Sequence, residues 1–325
     1  MMKKLLLTHS DLDGVGCAIV ALHYHFYSDH IYFADYTELN DGVLTSQPFY
    51  RSKPWTMFDY IRTFDLVFVT DLSIDPPFYE FLSKEVKNFT ILDHHDSSSF
   101  IPKEDSRLIL DNNKSGTRLL FEYLSAGKRV PVALQEFVEI VDTYDMWKKD
   151  SPLWATAEKL NGIFYQMRNY NAKGYYKYSD YIKVQLGKIA KWEHFDFTAI
   201  EEKHAEKDIE KKQRNLSKAY DNIQYREDTH GKKFALTSIP ASLSYVASVI
   251  LDDDESLDYI VIVNTYREAK GKISLRSKEM DCTLLNHANG HKLASGGELS
   301  DQEIIDLISG KMYSLGYKED NGTDI

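Results

Sequence analysis

Acidic and imidazole side chains recur in this sequence directly after short apolar runs of the kind K-K-L-L-L-T, L-V-F-V-T and F-T-I-L. Such runs are typical of buried strands. Because the carboxyl ends of parallel strands meet at one edge of a sheet, where ligands bind, the side chains that follow these runs should converge. Carboxylates and imidazoles without thiolates suit Mn²⁺ or Mg²⁺ better than structural zinc. The residues that predict this metal site are His9, Asp11, Asp13, Asp71, Asp93, His94 and His95.

Asp11 and Asp13 are one residue apart where the first strand turns into a helix. Two carboxylates this close repel each other, and a bound cation compensates for this unless water solvates both groups. Helix capping is the competing explanation, because an aspartate at a helix start accepts the free amides of the first turn. Capping accounts for one of the two aspartates and leaves His9 unexplained.

The triplet Asp93-His94-His95 is a more specific signal, since it directly follows an apolar strand. Adjacent side chains at a strand end point in different directions, so one histidine can ligate a metal while the other faces a neighbouring group. A polar loop with coincidental histidines is the alternative. Asp71 is a weaker signal, because aspartates often end strands for reasons of turn geometry. Asp142 ends an apolar helical pattern, and we expect Asp145, three residues later, to point into water.

The elements that must position these residues alternate between strand and helix up to about residue 145. This alternation predicts an α/β fold with a doubly wound parallel sheet that is covered on both faces. Residues 36–60 look irregular and are interpreted as an insertion. The predicted strands are 4–8, 31–35, 65–70 and 89–92, and the predicted helices are 14–27, 115–126 and 132–142.

The second half of the chain begins with a charged stretch between residues 190 and 220, interpreted as an exposed connecting helix. After it, K-F-A-L-T-S, Y-I-V-I-V-N and G-K-I-S-L-R-S are strand-like, and S-Y-V-A-S-V-I-L is helix-like. We therefore expect a catalytic domain over residues 1–190, a helical linker over 191–225, and a smaller mixed α/β C-terminal domain over 226–325.

Composition limits the classes of function. A chain of 325 residues suggests two domains. Its net charge of −11 argues against a general polyanion-binding protein but leaves room for a short anionic substrate. Cys17 and Cys282 lack metal-site spacing, and no apolar run approaches the ~20 residues of a membrane span. We expect a cytoplasmic protein with no membrane partner.

The motifs, in this order, resemble the DHH phosphoesterase family, which is named for the triplet found here at 93–95. H-S-D-L-D-G, V-T-D-L-S and Asp142 fall in the family's order. The segments K-I-S-L-R-S (272–277) and N-G-H-K-L-A-S-G-G (289–297) resemble the DHH-associated domain and its G-G-H-x-x-A-x-G loop. Asn289 replaces the usual first glycine of that loop, and the spacing between His9 and Asp11 is closer to the RecJ-like branch.

The resemblance implies two Mn²⁺ ions, with Mg²⁺ or Co²⁺ as substitutes. Carried over to this sequence, His9 and Asp11 would hold one ion, and Asp71 would bridge the pair. The ligands of the second ion would be Asp13, His94 and Asp142. Asp93 and His95 would orient ligands or contact the phosphate. Independently of any family, a metal pair of this kind can share a hydroxide that attacks phosphorus in line.

Five positions beyond the metal ligands are candidates for substrate binding. Arg276 has the planar fork that suits bidentate phosphate recognition, although a surface strand arginine is the plain alternative. Gly290 and His291 lie in the glycine-rich loop, where backbone can approach a ligand closely. Ser115 and Arg118 begin a helix whose first amides could bind phosphate, and ordinary helix capping is equally compatible with their positions.

The resulting hypothesis is a Mn²⁺-dependent phosphodiesterase that degrades short single-stranded oligonucleotides from an end, in the manner of a nanoRNA-type exoribonuclease. The scissile phosphate would bind the metals in a cleft between the domains. Hydrolysis of a linear dinucleotide, of 3′,5′-bisphosphorylated adenosine or of polyphosphate is the alternative within enzymes. A catalytically silent nucleotide-binding regulator is the alternative outside them. The sequence leaves a homodimer open as the assembly. Tyrosines between residues 164 and 183 are interpreted as packing residues rather than a base-stacking surface.

Overall fold

The computed structural model describes residues 2–25, 30–42, 56–95, 98, 100–102, 104–168, 172, 174–265 and 271–318. The chain divides into two compact units, Met1–Ala205 and Glu206–Ile325. Each unit has its own sheet and its own apolar core.

The sheet of the first unit is parallel throughout, with strand order β2-β1-β3-β4-β5. This order reverses direction between β1 and β3, which makes the carboxyl ends of those two strands the topological switch point of the sheet. The expected doubly wound parallel sheet is thereby confirmed. β5 has only three residues, too few for a periodic pattern to predict it. The strands are β1 (Lys4–Thr8), β2 (Ile31–Phe33), β3 (Leu66–Thr70), β4 (Phe89–Asp93) and β5 (Leu108–Leu110).

Helices cover both faces of this sheet. Successive residues of a strand point to opposite faces of the sheet. Leu6, Phe68 and Leu92, on three neighbouring strands, pack into the apolar cluster on one face, whereas Leu7 and Val69, the next residues of β1 and β3, pack into the cluster on the other. Such alternation follows from the period of two along a strand. The helices are α1 (Leu12–His23), α2 (Tyr36–Asn40), α3 (Met57–Ile61), α4 (Pro76–Glu85), α5 (Gly116–Ser125), α6 (Val132–Asp145), α7 (Trp154–Met167) and α8 (Ser179–Lys191), with a 3₁₀ turn at Gly174–Lys177. A further helix, α9 (Ala199–Asn222), begins in the first unit and continues into the second.

Several helix boundaries differ from the sequence-based expectations. α1 ends at His23, whereas the pattern extended the helix to residue 27, and residues 26–29 lie outside the described part. α6 continues three residues beyond the expected end, to Asp145. The stretch expected to be irregular contains α2 and α3, while residues 43–55 are not among those described. The longer α6 matters most, because it places Asp145 on a helix.

The turn from β1 into α1 is tight. The Asp11 side chain accepts a hydrogen bond from the Gly14 amide at 3.0 Å and caps the helix. A Cβ atom on Gly14 would lie only 2.1 Å from the carbonyl oxygen of His9. Glycine is therefore required for the strand to turn this sharply into the helix.

The second unit has a six-stranded mixed sheet of order β10-β11-β9-β8-β7-β6, in which β7 and β8 are parallel and the other pairs antiparallel. A mixed α/β C-terminal region is therefore confirmed. Its elements are β6 (Gln224–Glu227), β7 (Lys233–Ile239), α10 (Leu243–Asp253), β8 (Tyr259–Asn264), β9 (Lys272–Ser277), a 3₁₀ turn (Cys282–Leu284), β10 (Asn289–His291), β11 (Ala294–Glu298) and α11 (Asp301–Ser309).

Cys17 and Cys282 are both buried, and neither is in a disulfide. Among the described residues, we find no helix with the length and apolar character needed to cross a membrane.

Candidate metal centre

Three overlapping groups of carboxylates and imidazoles lie at the carboxyl edge of the parallel sheet. Within each group the potential ligand atoms are all within 4.8 Å of one another. Asp71 belongs to two of the groups, and so does His94, so the three form one continuous cluster. The groups are His9, Asp11 and Asp71; Asp71, His94 and His95; and Asp13, His94 and Asp145.

Asp71 is at the middle of this cluster, directly after β3. Its backbone adopts a left-handed conformation with φ of +53°, which is uncommon for a residue other than glycine and is often found at functional sites. The side chain is 3% exposed, and its Oδ2 atom has no hydrogen-bond partner among the described residues. Burial, followed by repulsion from Asp13, raises the pKa of Asp71 well above the usual range. A buried carboxylate with an unsatisfied oxygen fits a cation ligand.

His94 connects Asp71 to the end of α6. Its Nε2 atom lies 3.2 Å from Asp71 Oδ1 and 3.6 Å from Asp145 Oδ2. Burial, together with the neighbouring His95, lowers the pKa of His94. A neutral imidazole is the form that binds metals.

Asp145 does not point into water as expected. Its Oδ2 atom is buried without a hydrogen-bond partner among the described residues. Burial and the negative charge of Asp13 raise the pKa of Asp145 well above its usual range. The spacing of the two aspartates could have indicated this position. Asp142 and Asp145 are three residues apart, and because α6 extends to Asp145, both lie on neighbouring parts of its surface.

His9 and Asp11 form a pair at the more open end of the cluster. His9 Nδ1 lies 3.0 Å from Asp11 Oδ2, and both side chains are about one-third exposed, at 37% and 33%. The charge of Asp11 raises the pKa of His9. Burial opposes ionisation of Asp11, but the charge of His9 and hydrogen bonds outweigh it and lower the pKa of that carboxyl group.

Asp13 is 1% exposed and is fixed by the start of α5. Its Oδ2 accepts the Gly116 amide at 2.7 Å, and its Oδ1 accepts the Thr117 amide at 2.9 Å. Even with these bonds, burial raises the pKa of Asp13. Asp11 therefore caps α1 and also belongs to a candidate ligand group, whereas Asp13 accepts the first amides of a different helix, α5.

Asp93 and His95 form the outer part of the cluster. Asp93 is fully buried and accepts the His95 Nδ1–H at 2.7 Å, the His94 amide at 2.9 Å and the Ser98 hydroxyl. Burial alone lowers the pKa of His95, but the hydrogen bond and charge of Asp93 outweigh it and raise that pKa. Asp93 thus fixes the orientation of the His95 ring, which is how ligand-orienting carboxylates act.

Asp142 is not in the three groups. Its carboxylate accepts the Ser115 amide at 2.8 Å and the Lys148 ammonium at 2.5 Å. The amides of residues 115–118 are all used: Ser115 donates to Asp142, the next two donate to Asp13, and Arg118 donates to the Ser115 hydroxyl at 3.3 Å. The Arg118 guanidinium pairs with Glu139. Capping is therefore the role that the structure gives to the start of α5, and its amides are not available for phosphate.

Arg276 is on β9 of the second unit, where neighbouring hydroxyls hold it. One guanidinium nitrogen, Nη2, donates to Ser244 Oγ at 2.7 Å, and Nη1 donates to Ser274 Oγ at 3.1 Å and to the Leu275 carbonyl at 2.7 Å. Gly290 and His291 pair with Ser295 and Ala294 in a short hairpin. The side chain of His291 is outside the described part of the structure.

The arrangement concentrates negative charge in a buried place. Asp13, Asp71 and Asp145 all have raised pKa values, since each is buried close to other carboxylates. Divalent cations would compensate for this charge and complete the coordination of the unsatisfied oxygens. The donor set of oxygens and imidazoles fits Mn²⁺ or Mg²⁺.

No family model matches the chain. Among curated proteins, it is 24% identical over 325 residues to oligoribonuclease NrnB of Bacillus subtilis, an alignment that covers 95% of this chain and 76% of NrnB. It is 25% identical over 349 residues to a 3′,5′-cyclic-nucleotide phosphodiesterase of Helicobacter pylori, with 92% and 93% of the two chains covered.

Solved structures with a similar fold include the following two. One is the DHH domain of a protein described as a member of a ribosomal protein family, with a TM-score of 0.60, 14% identity, and coverage of 97% of this chain and 87% of that one. The other is exonuclease RecJ bound to manganese, with a TM-score of 0.51, 15% identity, and coverage of 95% and 88%. The chain has the fold of these proteins, and its resemblance to the DHH family is confirmed.

Proposed function

We propose that this chain, which has the RecJ-like DHH fold, is a metal-dependent phosphoester hydrolase that uses Mn²⁺ to cleave short oligonucleotides. The observation that carries the proposal is the continuous cluster of three ligand groups, connected through Asp71 and His94, at the switch point of the sheet. Ligands bind at this place in open α/β sheets. The curated relatives, an oligoribonuclease and a cyclic-nucleotide phosphodiesterase, support a phosphodiester of a nucleotide as the substrate.

The ligand assignment follows the distances. His9, Asp11 and Asp71 would hold one ion. Asp13, His94 and Asp145 would hold the second. Asp71 would be shared between the two, because its Oδ1 atom lies 3.2 Å from His94 Nε2. Asp145 replaces Asp142 in this assignment, because the Asp142 carboxylate is bound to Ser115 and Lys148.

A pair of divalent ions, when bound, lowers the pKa of water so that hydroxide is available near neutral pH, and neutralises charge on the phosphoryl oxygens. The protein fixes the ligands around that chemistry. The α5 amides hold both oxygens of Asp13, and the sheet places the neutral His94 ring beside Asp71. Asp93 keeps the His95 ring in one orientation, and a His95 with a raised pKa can carry a proton near a phosphate oxygen.

Short substrates agree with the charge of the chain. A net charge of −11 disfavours long polyanions, which are bound through many lysines and arginines. In the second unit, Arg276 is our candidate for the group that contacts a further phosphate of the substrate, because its fork is held in place by Ser244 and Ser274.

A product-resolved hydrolysis panel tests the proposal. It compares RNA of two to five nucleotides, longer RNA, single-stranded DNA, a linear diadenylate, 3′,5′-cyclic AMP, adenosine 3′,5′-bisphosphate and polyphosphate, each with Mn²⁺, Mg²⁺, Ca²⁺ or a chelator. We expect mononucleotide release from the shortest RNAs with Mn²⁺ and none after chelation. The second candidate substrate is a cyclic nucleotide, because the Helicobacter relative is a cyclic-nucleotide phosphodiesterase. Preferential cleavage of 3′,5′-cyclic AMP would show that the substrate is the cyclic nucleotide and not a short oligonucleotide. Full activity in metal-depleted protein would overturn the mechanism.

A further inference from the structure

Asp142 is a buried carboxylate next to the metal centre that the three ligand groups do not use. Its side chain is 1% exposed. Oδ1 accepts the Ser115 amide at 2.8 Å, and Oδ2 accepts the Lys148 ammonium at 2.5 Å, with the Arg118 guanidinium 3.7 Å away. Both oxygens are therefore bound by protein groups. A buried carboxylate so fully satisfied needs a different explanation from that of Asp71 and Asp145, whose Oδ2 atoms lack partners among the described residues.

The Ser115 amide is the first of a series that leads to the metal centre. Ser115 is the N-cap of α5, and the next two amides donate to the two carboxylate oxygens of Asp13 at 2.7 and 2.9 Å. The Thr117 hydroxyl also donates to the Asp13 carbonyl at 2.6 Å. The first turn of α5 therefore joins Asp142 on one side to Asp13 on the other. Moving Ser115 would move the two amides that orient Asp13.

The start of α5 also touches the middle of the cluster. A Cβ atom on Gly116 would lie 2.5 Å from Asp71 Cβ and 3.0 Å from Asp13 Oδ2. There is no space for even one additional carbon between this turn and two of the proposed ligands. Small displacements of the turn must therefore be transmitted to both carboxylates.

Lys148 neutralises the negative charge of the buried Asp142 carboxylate. Its backbone amide donates to the Thr143 carbonyl at 3.0 Å, which fixes the residue at the end of α6. Its ammonium then reaches back to Asp142, which would otherwise be a buried charge close to the carboxylates of the centre. Lys148 is itself 40% exposed, so water still solvates part of the cation.

We propose that Asp142 is a positioning residue rather than a metal ligand, and that, neutralised by Lys148, it anchors the first turn of α5 so that this turn orients Asp13. The inference rests on the proposed function, since it takes Asp13 to be a ligand. Groups that orient ligands typically change metal affinity by about 10- to 100-fold when they are lost. Asp142 should therefore affect how tightly the ions bind and not how many bind.

The test is Mn²⁺ titration by calorimetry, read as stoichiometry and Kd, on the wild type and four variants. Asp142→Ala removes the acceptor for Ser115, and we expect two bound ions with a Kd raised about 10- to 100-fold. The pair Asp142→Asn/Lys148→Met keeps an oxygen acceptor for Ser115 without a charge, and should bind nearly as the wild type does. Lys148→Met alone should weaken binding less than Asp142→Ala. Asp145→Asn is the matched control three residues away, and it should lose one ion.

Kinetics provide a second readout. Because Asp13 would hold an ion and not the distant part of the substrate, Asp142→Ala should lower kcat at saturating Mn²⁺ and leave KM almost unchanged. Thermal unfolding of each variant verifies that it is folded. If Asp142→Ala is not folded, the Asp142→Asn/Lys148→Met variant is used for the test in its place.

The outcomes separate the two proposals. If the Asn/Met pair loses one ion while the wild type binds two, Asp142 is a ligand, and the inference is wrong although the metal centre stands. If Asp142→Ala binds Mn²⁺ like the wild type, the contact of Asp142 with the start of α5 does not position Asp13, and the inference is wrong. If the wild type binds no Mn²⁺, the metal centre itself fails, and the positioning role fails with it.

Discussion

The Nε2 atom of His94 lies 3.2 Å from the Oδ1 atom of Asp71, although the two residues are 23 positions apart in the sequence. They meet because β3 and β4 are parallel neighbours, so the residues that follow these strands emerge at the same edge of the sheet. The contact joins two ligand groups into one cluster. This meeting of Asp71 and His94 therefore follows from strand order, and Asp71 belongs to two of the candidate ligand groups.

The first prediction concerns that shared group. Asp71→Asn should disturb the binding of both ions, because Asp71 belongs to two ligand groups, and should lower kcat/KM by more than about 100-fold, the upper end of the cost of losing a ligand-orienting partner. Mn²⁺ stoichiometry and kcat/KM on a short RNA are the measurements. Asp59→Asn, an exposed change in α3, is the control. Near-normal turnover in Asp71→Asn would contradict the site.

The second prediction is that metal-free protein and metal-bound protein respond oppositely to pH. Burial and mutual repulsion raise the pKa values of Asp13, Asp71 and Asp145. A carboxyl group whose pKa is higher in the folded state stabilises the fold at low pH and loses that contribution as pH rises through the folded value. Bound metal requires the ionised carboxylates, so it becomes more stabilising over the same interval.

The measurement is Tm from about pH 5 to about pH 8, in a chelator and in saturating Mn²⁺. We expect the difference between the two curves to widen as pH rises. The variant Asp71→Asn/Asp145→Asn removes two of the three groups, and its chelator curve should fall less steeply toward neutral pH. A difference that is independent of pH would show that these carboxylates do not bind the metal.

The third prediction concerns a buried ion pair that links α8 to α9. Lys188 Nζ lies 2.8 Å from Glu201 Oε1, with side-chain exposures of 3% and 0%, and Gln185 also donates to Glu201. Lys188→Met leaves a buried carboxylate without its cation and should lower the free energy of unfolding by about 3–5 kcal/mol. Chemical denaturation measures this quantity.

The matched control for Lys188 is on the same helix. Lys183 pairs with Asp180 at 3.7 Å, and both side chains are more than 70% exposed. Lys183→Met should cost at most about 1 kcal/mol, because water screens exposed pairs. Equal effects of the two changes would mean that burial does not strengthen the Lys188 pair.

The fourth prediction concerns substrate binding by the second unit. Arg276→Ala removes a charge-assisted contact of about 1.5–3 kcal/mol and should lower kcat/KM for oligonucleotides by roughly 10- to 150-fold. A minimal chromogenic phosphodiester, which is too small to reach a further phosphate site, should be affected far less. Bound Mn²⁺ is quantified in parallel and should be unchanged.

Lys272→Ala is the control for Arg276, since Lys272 is an exposed residue of the same strand. It should leave both substrates unaffected. If Arg276→Ala loses activity equally on the two substrates, or loses metal, this arginine supports the fold or the catalytic centre and does not bind substrate.

The sequence determined the elements around the centre because they depend on local patterns. β1 and β3 are apolar runs that are followed directly by His9 and Asp71, and the parallel pairing of such strands puts their carboxyl ends together. The C-terminal strands β7, β8 and β9 were predicted in the same way, whereas β6, β10 and β11 were not. β5, with three residues at the edge of the sheet, had no such pattern.

The tertiary structure alone decided which aspartate of α6 reaches the centre. Asp142 and Asp145 both follow apolar residues, and nothing in their local sequence distinguishes the surroundings of one from those of the other. Contacts with residues outside α6 distinguish them: Ser115 and Lys148 bind Asp142, whereas Asp145 faces His94. The periodicity of a sequence reports which face of an element is buried, but the partner that a buried polar group meets depends on how the elements pack.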